Sequence, residues 1–271
     1  MAHILFATDF SPIAQHAATY ATHLAQSLQM DLTLLHAYIV PFAYEDSATP
    51  LLNHEEVKEI AESSMMAEQS RLQTLAPQLS VTTKIMPGDL ISCLQDEINE
   101  HPPALVALGT SGREADSILW GSMAIKALRC FNTPVLVIPA KASWRPVHKV
   151  GFAADYEKIS GETPFSDIIS WVNKMKATLS VIHIDRTSTG RPATPPPQLL
   201  QEVLAPNNPT YHTISAESII DGVQNFVRQH EIDWLILIPR KYGFWASLFH
   251  KSRTKMLAQV SHIPILALHQ D

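Results

Sequence analysis

The chain has 271 residues, room for two ordinary domains, and its 46% hydrophobic and 17% charged residues fit a globular protein with a sizeable core. A formal net charge of −6 with no Lys/Arg-rich block argues against a nucleic-acid surface. No apolar run is long enough to span a bilayer, and "MAHILFATDF" turns polar too soon for a secretory signal, so no membrane association and a cytoplasmic location are expected.

In chain order, "HILFATDF" (3–10) reads as a short apolar strand ending in an aromatic, two small residues and Asp9. Ser11 is a good N-cap and Pro12 suits the first helical position, after which Ile13, Ala17, Tyr20, Ala21, Leu24 and Leu28 recur at helical spacing. "DLTLLHAY" (31–38) is a second apolar strand. Residues 55–76 and 89–100 are helices, and "PALVALGT" (103–110) is another strand. The stretch "GTSGREADSILWGS" (109–122) holds three of the chain's 9 glycines, Gly109, Gly112 and Gly121, and leads into a helix over 122–131 and the strand of "FNTPVLVIPA" (131–140). Cys93 and Cys130 lie far apart in sequence, match no metal or redox spacing, and read as buried thiols in a reducing compartment.

The order then repeats. "HKVGFAADY" (148–156) matches 3–10, "ATLSVIHID" (177–185) matches 31–38, "IDWLILIP" (232–239) matches 103–110, and "SHIPILALHQ" (261–270) matches 131–140. The chain is therefore a duplication, with the joint at "AKASWRPVH" (140–148), where Pro146 discourages helix and strand alike. The expected domains are 1–143 and 146–271. Strands that are apolar without alternation are covered on both faces, so each repeat is α/β, a doubly wound parallel sheet with right-handed crossovers. In such sheets ligands sit at the C-terminal strand ends near a switch point, where Asp9 and the glycine stretch fall. The Pro-rich stretch 186–198 of the second repeat reads as a surface loop.

"FATDFSPIAQHA", "LLHAY" and "LVALGTSGREADSILWGSMAIKALRCFNTPVLVIPA" together resemble the universal stress protein family, in a tandem two-domain form. The resemblance implies two five-stranded parallel-sheet domains of adenine nucleotide alpha hydrolase-like fold, forming a pseudo-dimer through their last strands, with "PVLVIPA" against "PILALHQ". It also implies ATP or another adenine nucleotide as ligand, with Mg left open. Ala7, Thr8 and Asp9 would line the nucleoside side, Ala37 would sit by the base, and Gly109, Gly112, Gly121 and Ser122 would hold phosphate. Asp9 has a second reading, as an acceptor of backbone N–H groups ahead of Ser11.

Glycines let backbone approach a phosphate, and N–H groups at the start of the helix opening at Ser122 favour an anion. The family pattern places nine residues between the second and third glycines; here 8 lie between Gly112 and Gly121. The shortened loop should weaken grip on distal phosphates more than on the nucleoside. In the second repeat the three glycines align with Pro239, Tyr242 and Lys251, while Ser122 keeps a partner in Ser252, so at most one site per chain is expected, in the first repeat. "RKYGFWASLFHKS" (240–252) brings Phe244, Trp245 and Phe249, which could fill the vacant pocket or cover a partner, and Arg240, Lys241 and Lys251, read as a solvated face ahead of an anion site.

His36 and His183 occupy equivalent strand ends and read as structural hydrogen-bonding groups. His16 and His23 share a helix flank without a third metal ligand. Three functions stand open: a nucleotide-responsive or adaptor module, a structural or interaction protein of the same fold without nucleotide, and a slow ATP hydrolase. Homo-oligomers are compatible with each.

Overall fold

The computed structural model describes residues 2–39, 54–110, 122–185, 194–239 and 262–270. The first half contributes β1 (His3–Ala7), α1 (Pro12–Leu28), β2 (Asp31–Tyr38), α2 (His54–Leu75), β3 (Val81–Pro87), α3 (Leu90–Glu100), β4 (Leu105–Gly109), α4 (Ser122–Cys130) and β5 (Val135–Ile138). The second half contributes β6 (Lys149–Ala153), α5 (Phe165–Met175), β7 (Thr178–Asp185), α6 (Gln198–Leu204), β8 (Thr210–Ser215), α7 (Ile219–His230), β9 (Trp234–Leu237) and β10 (Ile265–Ala267).

All ten strands form one sheet, in the order β3-β2-β1-β4-β5-β10-β9-β6-β7-β8. Each half is parallel, and the halves meet through the antiparallel pair β5–β10, with Val137 opposite Ile265 and Val135 opposite Ala267. The strand order is thus a palindrome about β5–β10. This is the expected doubly wound α/β fold, with the two last strands joined so that neither is left as an open edge. The two apolar clusters each draw on residues of both halves, one cluster holding Phe6 and Phe152, the other Leu5 and Leu235.

Local chemistry sets the helix starts. Ser11 is extended (ψ 157°) and its Oγ accepts the Ala14 N–H at 3.2 Å, with Pro12 next in line. Asp89 caps α3 through the N–H groups of Ile91 and Ser92. Helices α1 and α5 both end on a left-handed residue, Gln29 (φ 54°) and Lys176 (φ 53°), so the repeat extends to a backbone conformation that glycine would favour. Arg71 of α2 locks onto α1: its guanidinium donates to Glu68, to Thr19 Oγ1 and to the Gln15 carbonyl.

Between the halves, Trp234 Nε1 donates to Tyr20 Oη at 2.8 Å in a buried contact. The joint packs Trp144 edge-on against Tyr20 and stacks it with His23, while Arg145 pairs with Asp233 at 2.6 Å. His16 Nε2 lies 2.6 Å from the Ala142 carbonyl, so the two α1 histidines serve separate contacts with the joint. His269, past β10, reaches back to the Leu128 carbonyl of α4 at 2.8 Å.

Three sequence expectations change. The residue patterns marked only four strands per repeat, but the five implied by the family resemblance are present: β3 and β8 complete the halves, both as edge strands whose residues are mostly half-exposed. Cys93 is buried, but Cys130, the last residue of α4, is exposed. The third concerns the alignment of the glycine stretch. Leu108 pairs with Val137 in the first half and Leu237 pairs with Ala267 in the second. By that register the counterpart of Gly109 is Ile238, not Pro239. Pro239 corresponds to Thr110, and the connection from β9 to β10 is one residue longer than that from β4 to β5. Tyr242, Lys251 and Ser252, with the rest of 240–252, lie outside the described residues, as does 186–193 of the Pro-rich stretch.

Candidate functional site at the strand ends of the first half

Strand β1 stands between β2 and β4, where the strand order reverses, and the chain leaving β1 and β4 opens a crevice there. The exit from β1 is held tightly. Thr8 N–H donates to the Leu35 carbonyl at 2.9 Å, and His36 Nδ1 lies 2.8 Å from the Thr8 carbonyl. A carbonyl only accepts, so that imidazole nitrogen carries the proton. Phe10 takes a left-handed conformation (φ 59°), its N–H donates to Thr8 Oγ1 at 3.1 Å, and its ring packs on His36 at 4.5 Å. Asp9 Oδ1 accepts the Ser11 N–H at 3.0 Å.

The result is a cleft of about 460 Å³. Ala7, Thr8, Asp9 and Ser11 form one side, with Ile13 and Ala14 from the first turn of α1. Ala37 and Ile39 come from the end of β2, Leu90 from α3, Leu108, Gly109 and Thr110 from β4, and Met123 from α4. Five of the sequence-derived site residues, Ala7, Thr8, Asp9, Ala37 and Gly109, therefore meet in one cavity. Ser122 is the first residue of α4. Gly112 and Gly121 lie outside the described residues.

Sequence reasoning missed the apolar wall of Ile13, Ile39, Leu90 and Met123. Its only signal was position: each falls in a first helical turn or just past a strand end. Among the described lining residues Asp9 is the only ionisable one. Among the described residues it belongs to no metal-like cluster. The one grouping of three potential ligands among the described residues is Glu97, Glu100 and His101, at the far end of α3.

Gly109 has a structural reason to be glycine. A Cβ there would stand 3.1 Å from Ala17 Cβ and 3.4 Å from the Ile13 carbonyl, so the missing side chain lets α1 lie close on β4.

The second half keeps the scaffold and loses the space. Asp155 Oδ1 accepts the Glu157 N–H at 3.3 Å, and His183 Nδ1 sits 3.1 Å from the Ala154 carbonyl, as Asp9 and His36 do in the first half. Tyr156 replaces Phe10 and stacks flat on His183 at 4.0 Å. The two histidines are thus structural, as expected. But the first turns of α1 are replaced by a single 3-10 turn, Tyr156–Lys158, and α5 begins only at Phe165. Lys158, Ile159 and Ile238 close over the strand ends, and about 10 Å³ is left.

The universal stress protein family matches residues 1–139 of this chain. Among solved structures, a universal stress protein from Archaeoglobus fulgidus DSM 4304 is similar over 99% of this chain and 98% of its own, at 14% identity and a TM-score of 0.73. A functionally unknown protein from Pseudomonas aeruginosa PAO1 follows at 17% identity, with 99% of this chain and 92% of that one covered and a TM-score of 0.64. A universal stress protein from Archaeoglobus fulgidus in complex with dAMP covers 51% of this chain and 97% of its own, at 16% identity and a TM-score of 0.39. No curated protein matches the chain. At these identities the solved structures speak for the fold, while the family match spans half of the chain and agrees with the strand order, the glycine stretch and the cleft at the β1–β4 ends. The chain belongs to the universal stress protein family.

Proposed function

We propose that this protein is a nucleotide-responsive or adaptor module with one adenine-nucleotide site per chain, at the strand ends of the first half. The observation that supports it is the asymmetry of the two equivalent positions: about 460 Å³ of cleft in the first half against about 10 Å³ in the second. Ala37 and the apolar wall suit a base, and Thr8 and Asp9 suit a ribose. Gly112, Gly121 and the start of α4 at Ser122 are the groups that would meet phosphate. Hydrolysis would require a positioned base, and Asp9, the only acid among the described lining residues, already holds the Ser11 N–H. Binding with conformational signalling is the better-supported chemistry. Free Cys93 and Cys130 accord with a reducing, cytoplasmic setting.

A second reading, an interaction scaffold without nucleotide, has one observation in its favour: Gly109 is accounted for by helix packing alone. Isothermal titration of the full chain with ATP, ADP, AMP and dAMP decides between the two. The expected result is one site per chain, lost in an Ala37→Trp variant that still folds, because the added ring fills the cleft where a base would lie. Two sites per chain, or binding unchanged in the variant, would overturn the assignment. A wild type that binds none of the four makes the scaffold the function.

A further inference from the structure

The charge around the cleft says which end of a nucleotide it grips. Its described wall is built from Ala7, Ala37, Ile39, Leu90, Leu108 and Met123 and carries one ionisable group, the Asp9 carboxylate. None of the described lining residues is a Lys, Arg or His. Next to Leu90 of the wall in sequence is a second carboxylate, Asp89, which accepts from Ser92 Oγ and from the N–H groups at the start of α3. The nearby cation, Lys126 of α4, acts on Asp89. A triphosphate carries several negative charges. It would meet the two carboxylates with a helix start worth only about half a positive charge in compensation.

The glycine evidence for phosphate is also thinner than the motif makes it. Gly109 does not take a positive φ, and its lost side chain is explained by Ala17 and Ile13 lying against it. The apolar wall, by contrast, opens on a cleft of about 460 Å³, where the described residues at the equivalent strand ends of the second half leave about 10 Å³. A flat, uncharged base fits such a wall and gains from leaving water.

We propose that this cleft recognises the nucleoside end of its ligand and takes adenosine about as tightly as ATP. The inference rests on the adenine reading above and deepens it. The phosphates are tolerated rather than gripped, so the site reports total adenine nucleoside and nucleotide rather than the phosphorylation state.

The test is calorimetry of the full chain with adenosine, AMP and ATP, in buffer containing Mg²⁺ to neutralise part of the phosphate charge. Adenosine should bind within about fivefold of ATP, a gap near 1 kcal/mol. ATP binding tighter than adenosine by more than that overturns this inference and leaves the nucleotide site standing. Failure of all three to bind overturns both. Asp9→Asn gives a second arm, since its amide oxygen can still accept the Ser11 N–H. Removing one negative charge from the wall should improve ATP relative to adenosine by roughly threefold to tenfold. Circular dichroism serves as the control for folding, and the ATP-to-adenosine ratio cancels any contact of Asp9 with the ribose that both ligands share. An ATP-to-adenosine ratio that does not rise in this variant overturns the electrostatic argument.

Discussion

The two halves repeat one another down to the hydrogen bond at the exit of their first strands and part company in the helix and the space beside it. Both place an Asp after the first strand, and in both it accepts an N–H two residues on. Both hold the strand exit with a histidine, pack an aromatic ring on it, and end the first helix on a left-handed residue. What is common to both halves is then scaffold: it persists where there is no cavity. The features of the first half alone are the candidates for function: glycine at 109, a long α1 starting right behind Asp9, and the open apolar wall. Asp9 itself belongs to both classes. Its backbone contact is shared, and only its exposure to a cleft is particular to the first half.

The largest test exchanges the residues at the point of divergence. Gly109→Ile places side-chain atoms where α1 already lies, an overpacking expected to cost about 1–3 kcal/mol, and it pushes on Ile13, which lines the cleft, so nucleotide binding should weaken sharply. Ile238→Gly removes a buried side chain and should cost about 3–5 kcal/mol. It should not create a second site, because Lys158 and Ile159 still cover the strand ends. Denaturant titration reads the stabilities and calorimetry the stoichiometry. A second nucleotide site in Ile238→Gly would show that one residue, not the missing turns of helix, separates the halves.

How far the sequence could be read follows the same division. The central strands β1, β4, β6 and β9 are apolar runs of four or five residues covered on both faces, and such runs announce themselves. The cap at Ser11 was equally legible, since Ser-Pro ahead of a helical period has few other meanings. Edge strands β3 and β8 were not, because their mixed exposure blurs the alternation, and Thr82 and Lys84 look as much like loop as strand. The Gly109 counterpart was misplaced by one residue because counting back without a gap from Ser122 and Ser252 reaches Pro239, whereas the strand match of 103–110 with 232–239 reaches Ile238. Pairing with β5 and β10 fixes it at Ile238. The apolar wall was invisible for another reason: Ile13, Ile39, Leu90 and Met123 are distant in sequence and converge only through the sheet.

A smaller effect tests whether halves that differ in function are nevertheless one folding unit. The buried Trp234 indole donates to Tyr20 Oη across the boundary, and burial raises the Tyr20 phenol well above its ordinary value, so the hydroxyl stays protonated. Tyr20→Phe leaves the indole N–H buried without an acceptor and should cost about 1–3 kcal/mol. Because the contact ties α1 to β9, unfolding in wild type and variant should remain one transition when followed by tryptophan fluorescence and by circular dichroism. Two separated transitions would show the halves to be independently stable, with the seam contributing little to either.

The smallest expected effect is a response to acid that falls mainly on the second half. His269, His262 and His212 there, and His3 in the first half, all have pKa values held below the ordinary 6.5, in each case chiefly by burial. Arg228 and Arg145 add to the effect at His262, and His230 at His212. At His269 the contact with the Leu128 carbonyl works the other way, and its Nδ1 is buried without a partner. The folded state therefore prefers these rings neutral. Their contribution to stability is complete above the unfolded value of 6.5 and is lost as pH falls below it toward the lower folded values. The denaturation midpoint should thus decline between about pH 7 and pH 5.5, before most carboxylates titrate. His269→Gln retains a donor for the Leu128 carbonyl but cannot take up a proton, so its decline should be shallower than that of the wild type. A midpoint that stays level or rises toward pH 5.5, or a His269→Gln profile parallel to the wild type, would remove this difference between the halves.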